Sequence, residues 1–387
     1  MRIFISTGEV SGDLQGAILI KALKRQAAIA NVPLEITALG GDLMREAGAT
    51  IIGHTTSIGS VGLLEALPFV IPTFKLQNIA KKHLLNNIPD ALVLIDYAAP
   101  NIAIGRYVKK HLPQVSIIYY IAPQDWAVPM LGNAAKLTQF VDRLLAVFPQ
   151  EANYYRQKGI DTIWVGHPLI DRMASTPDKV TSRKLLDLAP EQTVITLLPA
   201  SRRQEIEQML PVIGEAASLI QQQIPDVKFL VPLSLNIYRE AIIDAIEQYK
   251  LSATLLEERT LEAISAADLA ITKSGTVNLE IALLDVPQVV LYRVHPLTAW
   301  LARNVLKIKV PLMSPPNLIV DEEIIPELQQ ELATPQNIAR TALELLANPV
   351  KCQKMIASYQ QMRSLLGESG VGDRAAAAIL KIKYNIR

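Results

Sequence analysis

The sequence is poor in the features that mark secreted, zinc-binding and nucleic-acid-binding proteins. Its 387 residues include one cysteine, Cys352, which excludes an internal disulfide and a cysteine-based zinc site and suits a reducing compartment. The sequence also lacks an excess of charge of either sign, because 38 Lys and Arg residues are balanced by 37 Asp and Glu residues. Proteins that bind a nucleic-acid duplex usually carry a basic excess, so we expect no nucleic-acid partner.

Long hydrophobic runs and metal-binding motifs are missing as well. The N-terminus reaches Gly8 and Glu9 too early for a signal peptide, and no stretch approaches the roughly 20 apolar residues of a membrane span. The sequence contains no G-x-x-x-x-G-K-[ST] loop, no H-E-x-x-H motif and no D-x-D pair, and its five histidines are scattered. We therefore expect a cytoplasmic protein, soluble or peripheral to a membrane, that needs no metal and no cofactor.

Short apolar runs that alternate with segments of helical period are the main pattern. Most of the runs lack polar alternation, which is typical of strands covered on both faces of a parallel sheet. The intervening segments have the spacing of amphipathic helices, and the alternation predicts doubly wound α/β sheets. The predicted strands span residues 3–7, 91–97, 116–122, 144–148 and 162–165, followed by 194–198, 228–232, 253–256, 269–272 and 288–292.

The strand series breaks at residues 166–187, where prolines, serine and aspartate indicate a linker. We therefore predict two Rossmann-like domains that face each other across a cleft, the first over residues 1–168 and the second over 169–349. The tail, residues 350–387, is helical in pattern and basic. It is expected to pack back on the first domain or on a partner.

A glycine-containing turn follows the first predicted strand and opens the first helix. Its members are Gly8, Glu9, Ser11, Gly12 and Asp13. Free backbone N–H groups at a helix start attract anions, so this turn is a candidate binding loop. Because its glycines lack the G-x-G-x-x-G spacing of dinucleotide sites, an ordinary strand–helix turn capped by Ser11 or Asp13 remains an equal alternative.

Asp96 ends the apolar run 91–95. Ligands of open α/β sheets bind outside the carboxyl ends of the strands, so a carboxylate at this point is a candidate general base. A turn or capping aspartate is the alternative. Arg202 follows the first strand of the second domain, where its forked guanidinium could hold a diphosphate or simply be solvated at a helix start.

Ser274, Gly275 and Thr276 lie between a predicted strand and a helix in the second domain. Glycine lets the backbone approach a phosphate, while hydroxyl groups and the helix N-terminus supply donors. Glu280 lies one turn further on, within reach of a ribose, although an acid near the positive end of a helix is common. Of the spacing signals this one is the most specific.

An apolar segment followed by lysines is the last candidate. Such a segment can dock on an anionic membrane surface, line an acyl-chain groove or pack in the core. Its apolar members are Leu63, Leu64, Leu67, Phe69, Val70, Ile71 and Phe74.

Taken together, these residues resemble the lipid-A-disaccharide synthase family. The similar segments occur in the family's order over most of the chain, and those of the second domain are specific to the family. They are Gly8 to Asp13, Gly40-Gly41 with Met44, Gly62 to Glu65, Ile95-Asp96, Gly166 to Pro168, Leu198 to Arg202 with Glu205, Ser274 to Thr276 with Glu280, Tyr292-Arg293, Leu297-Thr298 and Pro316 to Leu318.

The resemblance implies a GT-B fold and an inverting, metal-independent sugar transfer. The donor would be UDP-2,3-diacylglucosamine, the acceptor 2,3-diacylglucosamine 1-phosphate and the new bond β(1→6). It further implies Asp96 as general base, Gly8 to Asp13 on the acceptor side, and the apolar segment as a contact to acyl chains or the cytoplasmic face of the inner membrane. Family members are peripheral membrane proteins that often pair, so a homodimer is expected. The residues implied around UDP are Arg202, Glu205, Ser274, Gly275, Thr276, Glu280 and Asn317.

The chain departs from the family pattern mainly on the acceptor side, at residues 96–101 and 123–129, and also at Ala200, where a glycine is usual. Alternatives are therefore a GT-B transferase with another acceptor, a UDP-sugar epimerase, or a non-enzymatic descendant that binds nucleotide or lipid as a scaffold.

Overall fold

A computed structural model describes residues 1–56, 67–127, 132–199, 203–233, 235–294, 300 and 312–383 of the chain. Leu63, Leu64 and Arg202 lie outside the described residues, and so does the side chain of Leu67. The chain divides into two compact units. Unit 1 comprises Met1–Asp171 and Leu365–Arg387, and unit 2 comprises Arg172–Ser364.

Unit 1 is built on a seven-stranded parallel sheet with the order β3-β2-β1-β4-β5-β6-β7. Its strands are β1 Arg2–Ser6, β2 Glu35–Gly40, β3 Thr50–His54, β4 Ala91–Ile95, β5 Ser116–Tyr120, β6 Arg143–Ala146 and β7 Thr162–Trp164. Its helices include α1 Glu9–Ile29, α2 Asp42–Glu46, α3 Val70–Asn86 after a 3₁₀ turn, α4 Ala98–His111, α5 Asn133–Leu137, α6 Pro149–Gln157 and α7 Leu169–Met173, the last of which runs into unit 2.

Unit 2 repeats the plan with a six-stranded parallel sheet in the order β10-β9-β8-β11-β12-β13. Its strands are β8 Val194–Leu198, β9 Lys228–Leu233, β10 Ala253–Glu257, β11 Leu269–Lys273, β12 Gln288–Tyr292 and β13 Glu327–Gln329. Its described helices are α8 Lys179–Leu185, α9 Arg203–Gln223, α10 Arg239–Gln248, α11 Thr260–Ala266, α12 Val277–Leu283, α13 Pro315–Val320, α14 Pro335–Leu346 and α15 Pro349–Leu366, which ends in unit 1.

The prediction of doubly wound α/β sheets is confirmed. Apolar runs such as β4, whose five residues are all fully buried, lie inside the sheets because helices cover both faces. Three strands escaped prediction: β2 and β3 contain glycine and polar residues, and β13 has only three half-buried residues. The predicted strand 91–97 ends at Ile95, because Asp96 and Tyr97 both have positive φ.

The end of the chain returns to unit 1. Helix α16, Val371–Leu380, packs against α1, and Arg25 pairs with Asp373 at 2.9 Å. The carboxylate of Asp171 accepts hydrogen bonds from the N–H groups of Gly370 and Gly372 at 2.6 and 2.9 Å. The C-terminal helix therefore completes the layer of helices on this sheet.

Candidate functional site

Each sheet reverses its strand order once, and the predicted site residues gather at these two points. In unit 1 the reversal lies between β1 and β4, which are followed by Gly8 and Asp96. In unit 2 it lies between β8 and β11, which are followed by residues 199–202 and by Ser274. The crevice at such a switch point is where open α/β sheets bind ligands.

Asp96 leaves its strand in a left-handed conformation, with φ of 47°, and is exposed. Both its backbone N–H group and its backbone carbonyl group are hydrogen-bonded. The N–H donates to the carbonyl oxygens of Tyr120 and Ile121 at 3.3 and 3.1 Å, and the carbonyl accepts the Tyr119 hydroxyl at 2.7 Å and the Asn101 amide at 2.8 Å. The carboxylate is therefore presented from a fixed backbone at the edge of the sheet.

Asn101 is the residue that joins the two strands of this switch point, and sequence reasoning gave it no role. It is fully buried. Its Nδ2 donates to the carbonyl oxygens of Asp96, Ile95 and Ser6 at 2.8, 3.0 and 3.3 Å, and its Oδ1 accepts the Ser6 hydroxyl at 2.8 Å. A wholly buried asparagine normally has its hydrogen bonds filled by the backbone, but the sequence does not show that residue 101 is buried.

The N-terminal turn lies beside Asp96. A Cβ on Gly8 would stand 2.4 Å from the Tyr97 ring, so glycine is required for the turn to pass under that ring. Glu9 begins α1 and is half-buried. Burial raises the pKa of Tyr97, and the Glu9 charge contributes in the same direction. Gly8 and Glu9 thus lie beside Tyr97, the residue that follows Asp96.

The remaining members of the turn point elsewhere or are covered. Ser11 is half-buried in the first turn of α1, and Gly12 is buried. Asp13 is buried and caps α2: its carboxylate accepts the N–H groups of Gly41, Leu43 and Met44 at 2.8 to 3.1 Å. Asp13 is a cap, as one alternative held, but of the next helix.

The apolar segment lies on the surface where it is described. Val70, Ile71 and Phe74 are 42%, 68% and 61% exposed at the start of α3, while Phe69 is half-buried. Thr73, in the same turn, has its Oγ1 3.5 Å from the Tyr97 hydroxyl. The start of α3 therefore approaches the side chain of Tyr97, the residue that follows Asp96.

In unit 2 the loop from Ser274 to Thr276 is tied to its surroundings by side chains. The Ser274 hydroxyl donates to the Met313 carbonyl at 2.8 Å, and its N–H donates to the Leu291 carbonyl at 2.8 Å. Asn278, a buried residue that sequence reasoning missed, accepts the Gly275 N–H at 2.7 Å. In the sequence Asn278 shares its helix start with Glu280, so the pattern did not single it out.

Gly275 has room for a small side chain among the described residues. Its φ is not in the left-handed region, and the described atoms nearest to an added Cβ are the Lys273 Nζ at 3.4 Å and Cε at 3.5 Å, which is ordinary contact. Neither backbone strain nor packing among the described residues requires glycine here.

Glu280 and Asn317 are both buried. Glu280 pairs with Arg172, a residue without a predicted role, and burial raises the pKa of Glu280 against the opposing Arg172 charge. The Asn317 amide donates to the Ile325 carbonyl and to Glu327 Oε1 at 2.9 and 2.7 Å and accepts two backbone N–H groups. Asn317 thus holds the segment after residue 312 in place.

His167, in the predicted linker, yields a prediction on acid stability. It is buried against Phe148, with ring centroids 5.2 Å apart, and burial lowers its pKa to about 3. The unfolded chain takes up a proton near pH 6.5 whereas the folded chain does not. Below pH 6.5 the free energy of unfolding therefore falls by about 1.4 kcal/mol per pH unit.

The measurement is urea unfolding of wild type and His167→Asn at pH 7.5, 6.5 and 5.5. Asparagine keeps an acceptor for the Leu169 N–H, which lies 3.3 Å from His167 Nδ1. Buried Glu151, whose pKa burial raises to about 7, acts in the opposite sense, since the folded chain holds its proton longer. The difference between the two proteins isolates His167, and equal slopes would contradict the prediction.

Two further findings concern metal binding and membrane spanning. Among the described residues, no group of three or more His, Cys, Asp or Glu side chains is placed to hold a metal ion. Within the same residues, no helix is long and apolar enough to cross a membrane.

Comparison with known proteins gives consistent matches along the whole chain. The family model described as lipid-A-disaccharide synthetase matches residues 3–382. A lipid-A-disaccharide synthase from Gloeothece citriformis is 56% identical over 98% of this chain and 99% of its own length. One from Synechocystis is 51% identical, with 98% of each chain covered.

Solved structures support the predicted GT-B fold. A UDP-GlcNAc 2-epimerase from Neisseria meningitidis, solved with UDP-GlcNAc, aligns with a TM-score of 0.68 at 14% identity over 98% of this chain and 100% of its own. A glycosyltransferase from Rickettsia africae aligns at 0.56 and 12% identity over 100% and 99%. At such identities the likeness concerns the fold alone.

Proposed function

Since the chain belongs to the lipid-A-disaccharide synthetase family and is therefore a glycosyltransferase of lipid A biosynthesis, we propose that it condenses UDP-2,3-diacylglucosamine with 2,3-diacylglucosamine 1-phosphate. The products would be the β(1→6)-linked disaccharide 1-phosphate and UDP. The observation that carries the proposal is the identity of 56% over 98% of the chain. The placement of Asp96 and of Ser274 to Thr276 at the two switch points supports it.

The proposed reaction is a single displacement with Asp96 as general base. The Asp96 carboxylate accepts the proton of the acceptor 6-hydroxyl group. That oxygen forms a bond to C1 of the donor sugar while the bond from C1 to the diphosphate oxygen breaks, and its electron pair leaves with UDP. Attack from the face opposite the leaving group inverts C1 and gives the β linkage.

The nucleotide is assigned to the switch point of unit 2. Gly275 would admit the diphosphate to the loop backbone and Thr276 would donate to it, while Arg202 would neutralise its charge. Glu280, kept oriented by Arg172, would accept a ribose hydroxyl. Ser274 and Asn317 are assigned to positioning, because their side chains bond to the Met313 carbonyl and around Glu327.

Replacing Gly275 by alanine tests the nucleotide site. The added methyl group stands where the diphosphate is proposed to approach the loop and should weaken UDP binding by about tenfold or more, equivalent to about 1.4 kcal/mol. Because the backbone conformation suits alanine, thermal stability should be unchanged or slightly higher. Calorimetric titration with UDP beside a thermal melt measures both. Unaltered UDP affinity at unaltered stability would remove this loop from the site.

The exposed start of α3 is proposed to contact acyl chains at the cytoplasmic face of the inner membrane. Ile71 and Phe74 lie within one helical turn of each other and beside Thr73, which approaches Tyr97. The exposed residues Lys75 and Lys82 follow on the same helix and would meet anionic head groups. The acceptor sugar would then reach Asp96 with its chains still against the membrane.

The double variant Ile71→Ser with Phe74→Ser tests this contact. Burial of each of these side chains in the membrane would contribute roughly 1.5–3 kcal/mol. Without them, binding to vesicles containing phosphatidylglycerol should fall at least about tenfold in a flotation assay. The matched control is Ile79→Ser with Leu85→Ser, which removes two apolar side chains, 44% and 46% exposed, further along the same helix. Equal loss in both variants, or in neither, would contradict the assignment.

A further inference from the structure

Lys273 carries a mostly buried charge at the switch point of unit 2. It is the last residue of β11, directly before the loop of Ser274 to Thr276. Its Nζ lies 3.0 Å from Glu205 Oε2, and the two side chains are 13% and 17% exposed. Glu205 belongs to the first turn of α9. The ion pair therefore joins the end of β11 to the first turn of α9.

Stability alone is a weak explanation for this pair. Taking an ammonium and a carboxylate out of water costs several kcal/mol per ion, and apolar residues of similar volume often serve a fold as well or better. A buried ion pair at the carboxyl ends of two central strands, where ligands bind, is better explained by a ligand that uses one of its charges.

The position of Lys273 indicates which charge that is. β11 pairs with β8 so that Thr272 lies opposite Leu198, which sets Lys273 level with the start of the loop that carries Arg202. Its Nζ lies 3.4 Å from the point where a Cβ of residue 275 would stand. A phosphate that approaches Gly275 from the side of this Cβ position therefore comes within reach of the ammonium.

We propose that Lys273 is a phosphate-binding residue for the diphosphate of the nucleotide donor, and that Glu205 positions Lys273. The inference rests on the proposed nucleotide site of unit 2. An ammonium supplies three donors and a full positive charge, and Glu205 keeps that charge over the loop. The same charge would stabilise the diphosphate as it leaves the sugar.

The test compares the affinities of UDP and uridine, measured by calorimetric titration. Lys273→Met should weaken UDP binding about 10- to 100-fold, the range of a hydrogen bond to a charged group, and leave uridine binding within about twofold. Lys273→Arg should restore most of the UDP affinity. Glu205→Gln should cost less than Lys273→Met, because the ammonium remains.

A double variant guards against a folding defect. Lys273→Met with Glu205→Leu removes both charges of the pair together, and it should lose UDP affinity as Lys273→Met does. UDP binding at the wild-type level in the double variant would mean that the pair is structural and would overturn the proposal. Equal loss of UDP and uridine would overturn it too, since it would place Lys273 in shaping the loop. A wild-type protein that binds no UDP would instead remove the nucleotide site itself.

Discussion

Asp96→Asn is expected to lower the rate of sugar transfer by about 10²–10⁴-fold, the contribution of a positioned general base. Asparagine is the informative replacement because it tolerates the left-handed backbone of residue 96, with φ of 47°, whereas alanine would add strain. The hydrogen bonds described above involve the backbone of residue 96, and asparagine keeps them, so the fold should be unaffected. UDP affinity should also be unaffected, since the nucleotide is assigned to unit 2.

The matched control is Asp187→Asn. Asp187 is an exposed aspartate of the same backbone conformation, with φ of 52°, in the connection before β8. It should transfer at the wild-type rate, which separates the removal of a carboxylate from the removal of the base. Full activity of Asp96→Asn, with product formed at the rate of the control, would exclude Asp96 as the base.

Asn101→Ala is expected to lower both stability and activity. It leaves the carbonyl groups of Ser6, Ile95 and Asp96 and the Ser6 hydroxyl without the partner described above. Unmet buried polar groups cost about 1–3 kcal/mol each. With partial relaxation we expect a loss of about 2–4 kcal/mol and a Tm lower by about 5–15 °C. A shifted Asp96 should slow transfer on the order of 10²-fold.

Thermal melts and transfer rates of Asn101→Ala are compared with those of Asn153→Ala. Asn153 likewise lies near the start of a helix, α6, but its side chain is exposed. Its replacement should therefore change Tm by little. If Asn101→Ala melted at the same temperature as its control, the hydrogen bonds by which Asn101 joins β1 to β4 would not be a source of stability. A destabilised variant that kept the full rate would show that Asp96 holds its place without Asn101.

Features that depend on residues close together in the sequence could be predicted, whereas contacts between distant residues could not. Ten of the thirteen described strands were predictable, because continuous apolar runs reflect burial on two faces. The loops at Gly8 and Ser274 were predictable because glycine and hydroxyl residues follow such runs directly. Asp96 was identified as a candidate from its place after β4, without any knowledge of its neighbours.

The residues that hold these loops were not predictable, since their partners are distant in the chain. Asn101 bonds to Ser6 across 95 positions, and Lys273 pairs with Glu205 across 68. Asp13 has the sequence context of a cap for its own helix but caps α2 instead. Only the folded sheet brings such residues together. The candidate site residues could therefore be identified from the sequence, whereas the residues that position them could not.

The transfer assay tests the central proposal most directly. Purified protein in mixed micelles, with a chelator present, is supplied with UDP-2,3-diacylglucosamine and 2,3-diacylglucosamine 1-phosphate, and both disaccharide and UDP are quantified. The proposal predicts disaccharide and UDP in equal amounts. Release of UDP without disaccharide would contradict the proposed acceptor, and the absence of UDP, with an isomerised donor sugar or no reaction, would contradict sugar transfer.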